Sequence, residues 1–222
     1  MKRKDFLSKG ALGILTTAAL PTILTSCKDD NFDPNACEVS PTETAGPFPI
    51  RTPADLVREN IIGDRTGIPL LMSFTIQDVS NSCSAISGAI VDVWHCDAQG
   101  NYSEYDGQLQ GDFTNDNFLR GRQTTNASGV ASFLTIYPGW YPGRTPHIHL
   151  EVRDANGNSL LITQVSFPED VSETVYATTG YNGSADTNNS NDGIVSAANM
   201  ADGVTGNTTD GYTLTKVIRV NG

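Results

Sequence analysis

The sequence predicts an all-β domain built from antiparallel strands, a sandwich or a barrel. Three observations predict it. Short runs rich in Val, Ile, Leu, Thr and Phe recur along the chain; turn signals such as SG, NASG and DANGN separate them; and no stretch carries a long amphipathic helical period. In 222 residues there is material for one sizeable core and a tail.

The chain opens with MKRKDFLSKG, which carries Lys2, Arg3, Lys4 and Lys9, followed by the apolar run ALGILTTAALPTIL. That run is short for a bilayer span but has the length of an export-signal core. LTSC, Leu24 to Cys27, resembles a bacterial lipobox, so residues 1–26 read as a lipoprotein signal peptide and Cys27 as the lipidated residue. RKDFLSK resembles a twin-arginine signal with one arginine replaced, and CKDD resembles a surface-export signal. The expected location is the cell envelope, lipid-anchored, on the periplasmic side or the outer-membrane surface, with the anchor as the only contact with a membrane. Without residues 1–26 the formal charge falls from -11 to -14. Such an acidic surface repels phosphate backbones and argues against a nucleic-acid partner.

Residues 27–45 are polar and aperiodic and read as a tether; the folded domain is expected over 46–222. ADLVREN (54–60) suits a short helical turn. LLMSFTIQDV (70–79), AISGAIVDVWH (85–95), GVASFLTIYP (129–138), HIHLEVRD (147–154), SLLITQVSF (159–167) and YTLTKVIRV (212–220) have strand composition. In the second of these, Ile90, Asp92 and Trp94 share one face and Val91, Val93 and His95 the other. Residues 178–210, rich in Asn, Gly, Ser, Thr and Asp, read as a long surface loop before the closing strand. With Cys27 acylated, three cysteines remain, which suits one disulfide and one free thiol. Cys83 and Cys96 flank a strand-like run and are the candidate pair, although spacing does not determine connectivity.

YPGWYPGRTPHIHLEV (137–152) holds two of the chain's three histidines. Strand alternation puts His147 and His149 on one face with Ile148 on the other, and imidazoles two residues apart can converge on one metal. Two Pro-Gly pairs bend the chain just before them and can bring Tyr141 back over the rings. A metal site and a packed aromatic corner with polar tips both fit these residues. Two imidazoles alone do not separate zinc, copper and iron, whereas a phenolate ligand favours Fe(III). In VDVWHCDAQGNYSEYDG (91–107), Tyr102 and Tyr105 follow a strand end on a loop, and His95 suits a hydrogen-bonded polar residue.

GAIVDVWHCDAQGNYS, LRGRQTTNASGVASFLTIYPGWYPGRTPHIHLEV and TQVSF, in this order, resemble the intradiol ring-cleavage dioxygenases, from about Gly46 to Asp170. The resemblance implies that family's antiparallel β-sandwich with long irregular loops, and one non-haem Fe(III) per chain held by Tyr102, Tyr141, His147 and His149. It implies that Tyr141 leaves the metal when substrate binds, that Arg144 stabilises charge at the reacting centre, and that Gln164 supports Arg144. Tyr137 and Tyr105 are not expected to bind the metal, and His95 matches no ligand position. The implied reaction takes a catechol and O2, breaks the ring between the hydroxyl-bearing carbons and yields a cis,cis-muconate. Phe48, Arg120 and Arg122 are the candidates for the substrate pocket, the arginines as a carboxylate-binding patch. A monomer or homodimer is expected, with a homologous partner subunit as a further option. The competing class is a non-catalytic surface β-sandwich that binds without turnover; a zinc or copper site using the HxH pair would need another ligand.

Overall fold

The computed structural model describes residue 33 and residues 36–222. The expected signal peptide and Cys27 lie outside the described residues. Two sheets pack face to face. The first is organised around β1 (Pro69–Asp78), in which Leu70, Met72, Phe74 and Ile76 alternate inward and are fully buried while Leu71 faces out. β1 pairs with β5 (Val130–Ile136), with the two-residue β2 (Ser84–Ala85) and with β9 (Gly211–Val220). β8 (Gly203–Asn207) completes this sheet on the far side of β9. The second sheet has the order β4 (Arg120–Thr124), β3 (Ile90–Trp94), β6 (His147–Arg153) and β7 (Ser159–Ser166).

The β-sandwich is therefore the expected one, with one departure from antiparallel pairing: β1 and β9 run parallel, from Leu70 opposite Tyr212 to Asp78 opposite Val220. Parallel neighbours need a long connection, and here it includes the whole second sheet. Between the sheets, Phe74, Phe133, Leu214 and Ile218 meet Val91, Val93, Ile148, Leu150, Val152 and Val165 in one apolar core. Full burial of each such side chain contributes about 1.5–3 kcal/mol.

Burial on both faces of β6 places the functional residues. Ile148, Leu150 and Val152 point into the core, while His147, His149 and Glu151 point to the outer face and are also buried. On that face Trp94, Cys96 and Tyr102 form a separate cluster with Ala45, Phe48, Ile50 and Tyr141 packed against it. Close to it, Asp92 is fully buried between two guanidinium groups, with Arg122 bidentate at 2.6 and 2.7 Å and Arg153 at 3.2 Å.

Three regions differ from expectation. The stretch read as a tether is docked from Cys37 onward: the Ser40 amide donates to the Arg219 carbonyl, the Arg219 amide to Ser40 Oγ, and the Glu43 amide to the Ile162 carbonyl. The presumed loop over 178–210 contains a 3-10 turn (Ala197–Asn199) and β8, and buries Asp192, Val195 and Asn199. It follows α1 (Glu169–Tyr176), a short helix that sequence patterning did not single out.

The disulfide joins Cys37 to Cys83, not Cys83 to Cys96. Cys83 lies in the turn before β2, on the first sheet, whereas Cys96 follows β3 on the second and is a buried free thiol. Closing a loop of 46 residues restricts the unfolded chain, so Cys83→Ser is expected to cost about 2–4 kcal/mol in urea unfolding. Non-reducing peptide mapping is expected to recover a Cys37–Cys83 peptide and an unlinked Cys96; a Cys83–Cys96 peptide contradicts the assignment.

Candidate metal centre

The site rests on one cross-strand row. β-Pairing sets Arg120 opposite Trp94, Trp94 opposite His149, and His149 opposite Gln164, so the four project from one face of the second sheet. His149 stacks flat on Trp94, with ring centroids 5.1 Å apart and an interplanar angle of 1°. Gly46 also lies against the ring, where a Cβ would come within 2.9 Å of His149 Cε1. Gly46 also has φ of +69°, so both its backbone and its lack of a side chain serve this close approach. The imidazole is packed against both an indole and a bare backbone.

His147, two residues earlier on β6, aims at the same point. The two Nε2 atoms are 3.1 Å apart, and the rings lie edge to face. His147 Nδ1 donates to the Thr145 carbonyl at 2.6 Å, which leaves its Nε2 lone pair free to act as a ligand. His149 Nδ1 has no well-aligned hydrogen-bond partner; the Thr44 backbone favours its protonated form, while Gln164 Nε2 donates to the Thr44 carbonyl at 2.9 Å. Burial, reinforced by the positive charge of Arg144, lowers the His147 pKa to about 4. Burial and then His147 hold that of His149 well below its usual value. Both rings are neutral nitrogen donors at pH 7.

Two tyrosines face the imidazoles. The turn after β3 is closed by the Gly100 amide on the Asp97 carbonyl, while Asp97 Oδ1 accepts the Gln99 and Asn101 amides. This Asx-type turn sends the chain back so that buried Tyr102 lies 6.3 Å from His149, centroid to centroid. Tyr141 begins a second turn, Tyr141-Pro142-Gly143-Arg144, closed by the Arg144 amide on the Tyr141 carbonyl with φ of +79° at Gly143. Proline second and a positive-φ glycine third match a type II turn, which sets both Tyr141 and Arg144 on the wall of one cavity of about 450 Å³. The rings of Tyr102 and Tyr141 are 6.3 Å apart, edge to face.

Burial pushes the Tyr102 phenol well above its ordinary value, so it ionises only beside a strong positive charge. Two neutral imidazoles converging on one point opposite two phenols are a donor set for a cation. Among the described residues no three His, Cys, Asp or Glu side chains are grouped so as to hold a metal ion; the oxygen donors that face the two imidazoles across the cavity are tyrosines.

Arg144 is braced from two sides. Its Nε donates to Asp192 Oδ2 at 2.8 Å and its Nη2 to Gln164 Oε1 at 2.6 Å. Asp192 also accepts the Thr145, Ile194 and Val195 amides. Burial alone would raise its carboxyl, but Arg144 and these amides outweigh it and hold the pKa at about 2. Sequence reasoning missed Asp192: it lies in a polar turn 48 residues from Arg144, with no local pattern to distinguish it.

Phe48 lines the cavity and contacts both tyrosines, at 5.0 Å from Tyr102 and 5.6 Å from Tyr141. Neither arginine proposed for the pocket lines it. Arg120 is buried beneath Phe48, donating to Ser103 Oγ, the Ser103 carbonyl and the Phe48 carbonyl; Arg122 is engaged by Asp92, directly across the strand pair. Tyr137 bonds Ser172, Tyr105 bonds the Pro49 carbonyl, and both ring nitrogens of His95 are engaged, by the Cys96 carbonyl and Thr135 Oγ1.

Comparison with known proteins matches residues 49–179 to a family model described as "Dioxygenase". The chain is 32% identical to chlorocatechol 1,2-dioxygenase from Rhodococcus opacus, in an alignment over 152 residues that covers 56% of this chain and 55% of that protein. To the beta chain of protocatechuate 3,4-dioxygenase from Burkholderia cepacia it is 35% identical over 96 residues, 38% of this chain and 39% of that protein. The chain thus spans about half or less of the curated relatives it matches. Among solved structures, an intradiol ring-cleavage dioxygenase from Tetranychus urticae superposes with a TM-score of 0.73 at 33% identity, covering 83% of this chain and 95% of that one.

Two outcomes are expected. Gly46→Ala displaces the His149 ring and costs about 1–3 kcal/mol in thermal or urea unfolding. Asp192 has a folded pKa below its usual 3.8, so the stability it contributes is fully present above about pH 4 and is lost as pH falls through about 2. The stability gap between the parent and Asp192→Asn should therefore close over that window in acid titrations followed by circular dichroism.

Proposed function

Because the chain belongs to the intradiol ring-cleavage dioxygenase family, we propose that it opens a catechol-type ring between the two hydroxyl-bearing carbons, using both atoms of O2, at one ferric ion held by Tyr102, Tyr141, His147 and His149. The observation that carries this reading is the pair of buried, neutral imidazoles with Nε2 atoms 3.1 Å apart, facing two tyrosines across one cavity. A ferric ion bound there supplies Lewis acidity and a template for the two catechol oxygens.

This chain's residues divide the remaining work by burial and bracing. His147, fixed through Thr145, and His149, fixed by Trp94 and Gly46, keep their lone pairs aimed at one point. Tyr102 is sealed in an aromatic cluster and stays in place. Tyr141 is partly exposed and sits on a Pro-Gly turn, so its phenolate oxygen is the one suited to turn away and accept a proton from an incoming catechol hydroxyl. Arg144, held by Asp192 and Gln164, retains N–H donors for negative charge that develops on oxygen. Phe48 limits the access of water to the ring. The product of the reaction is a cis,cis-muconate-type diacid.

The amino-terminal sequence supports an envelope-anchored form of this enzyme, lipidated at Cys27. No helix among the described residues is long and apolar enough to cross a membrane.

Purified, iron-loaded protein is expected to show a visible tyrosinate-to-iron absorption and to consume one O2 per catechol. His149→Ala should lose the bound iron, measured by metal analysis. Tyr141→Phe should keep it, change the visible band and lower kcat by about 10²–10⁴-fold. Iron-loaded protein that consumes no oxygen with any catechol contradicts the proposal.

A further inference from the structure

Resting on the dioxygenase reading, we propose that the site takes catechols with apolar ring substituents and discriminates against carboxylated ones, with Ile194 as a specificity-determining residue. Among the described residues that line the cavity, Arg144 is the only lysine or arginine. Its charge is already offset by Asp192, whose carboxylate lies 2.8 Å from Arg144 Nε. A guanidinium already paired with one buried carboxylate has little net positive charge left for a second.

The other arginines of this region are equally committed. Arg120 spends its donors on Ser103 and the Phe48 carbonyl and sits near Glu104, and Arg122 is locked to Asp92. With the two catechol oxygens directed at the ferric ion, a substituent carboxylate on the far side of the ring would lose its water without gaining an unpaired cationic side chain, and burial of an unpaired charge is strongly unfavourable. The formal charge of -11 adds long-range repulsion of anions.

Pro47, Phe48 and Ile194 form apolar wall in its place. The Asp192 turn that braces Arg144 also accepts the Ile194 amide at 2.8 Å, so one carboxylate both offsets the cation and positions the apolar side chain. A cavity of about 450 Å³ falls in the range of sites for drug-sized ligands, which leaves room for a substituent beyond the ring. Each substituent methylene buried against this wall should improve affinity by about three- to fourfold.

Anaerobic calorimetry on iron-loaded protein, with catechol, 4-methylcatechol, 4-ethylcatechol and protocatechuate, tests this directly, alongside kcat/KM from oxygen uptake. Affinity is expected to rise from catechol to 4-ethylcatechol and to be at least about tenfold weaker for protocatechuate. Ile194→Lys adds a cation to the wall and should narrow the catechol-to-protocatechuate ratio by about tenfold; Ile194→Ala, which adds no charge, should erase the 4-ethyl advantage. Protocatechuate bound as tightly as catechol by the parent overturns the inference, as does an unchanged ratio in an Ile194→Lys protein that still binds catechol. If the affinities follow the expected order but no oxygen is consumed, the specificity stands and the dioxygenase reading fails.

Discussion

The register of β6 between β3 and β7 is the constraint on which the site depends. It puts Arg120, Trp94, His149 and Gln164 in one row on the outer face of the second sheet. Because side chains alternate, a one-residue slip would turn His147 and His149 into the core and bring Ile148 out to the tyrosines. The register is held from both sides of the sheet. Ile148, Leu150 and Val152 belong in the apolar core, and at the opposite face Asp92 must reach Arg122 and Arg153. Removing either guanidinium would leave part of a buried carboxylate's charge uncompensated, which is costly.

The same face concentrates groups that are expensive to bury. Two imidazoles, a phenol and a guanidinium are buried on this side of the sheet, and burial shifts each toward its neutral form: His147 to about 4 and Arg120 to about 10, with the Tyr102 phenol raised. A protein selected for stability alone would fill this volume with apolar side chains. The arrangement makes physical sense beside a cation, which favours neutral imidazoles and lets the phenols ionise. The supporting residues are themselves tied in: Thr44 links Gln164 with the backbone beside His149, and Asp192 links Arg144 with Thr145 and the Ile194 turn.

Much of this was legible in the sequence, and the reasons for the rest are specific. Strands whose apolar residues alternate, such as β1 and β9, declare themselves, as does the HxH spacing on β6. β4 does not, because RGRQT is polar throughout and is held by ion pairs and backbone bonding to β3. β8 does not either, since GVTGN reads as a loop until β9 provides its partner. The roles of Arg120 and Arg122 depend on what lies across the strand pair, and the Cys37–Cys83 link depends on how the amino-terminal stretch docks; neither is local. Asp192 is the clearest omission. Its carboxylate matters only because the chain returns to Arg144 after 48 residues, and nothing in NDGIV announces that.

The central claim is that His147, His149, Tyr102 and Tyr141 hold one ferric ion. Anomalous diffraction at the iron edge, from crystals of the iron-loaded protein, tests it most directly. The account predicts a single strong peak ligated by the Nε2 atoms of both histidines and by the oxygens of both tyrosines. A peak bound elsewhere, or iron ligated by the histidines with both tyrosines turned away, would contradict it.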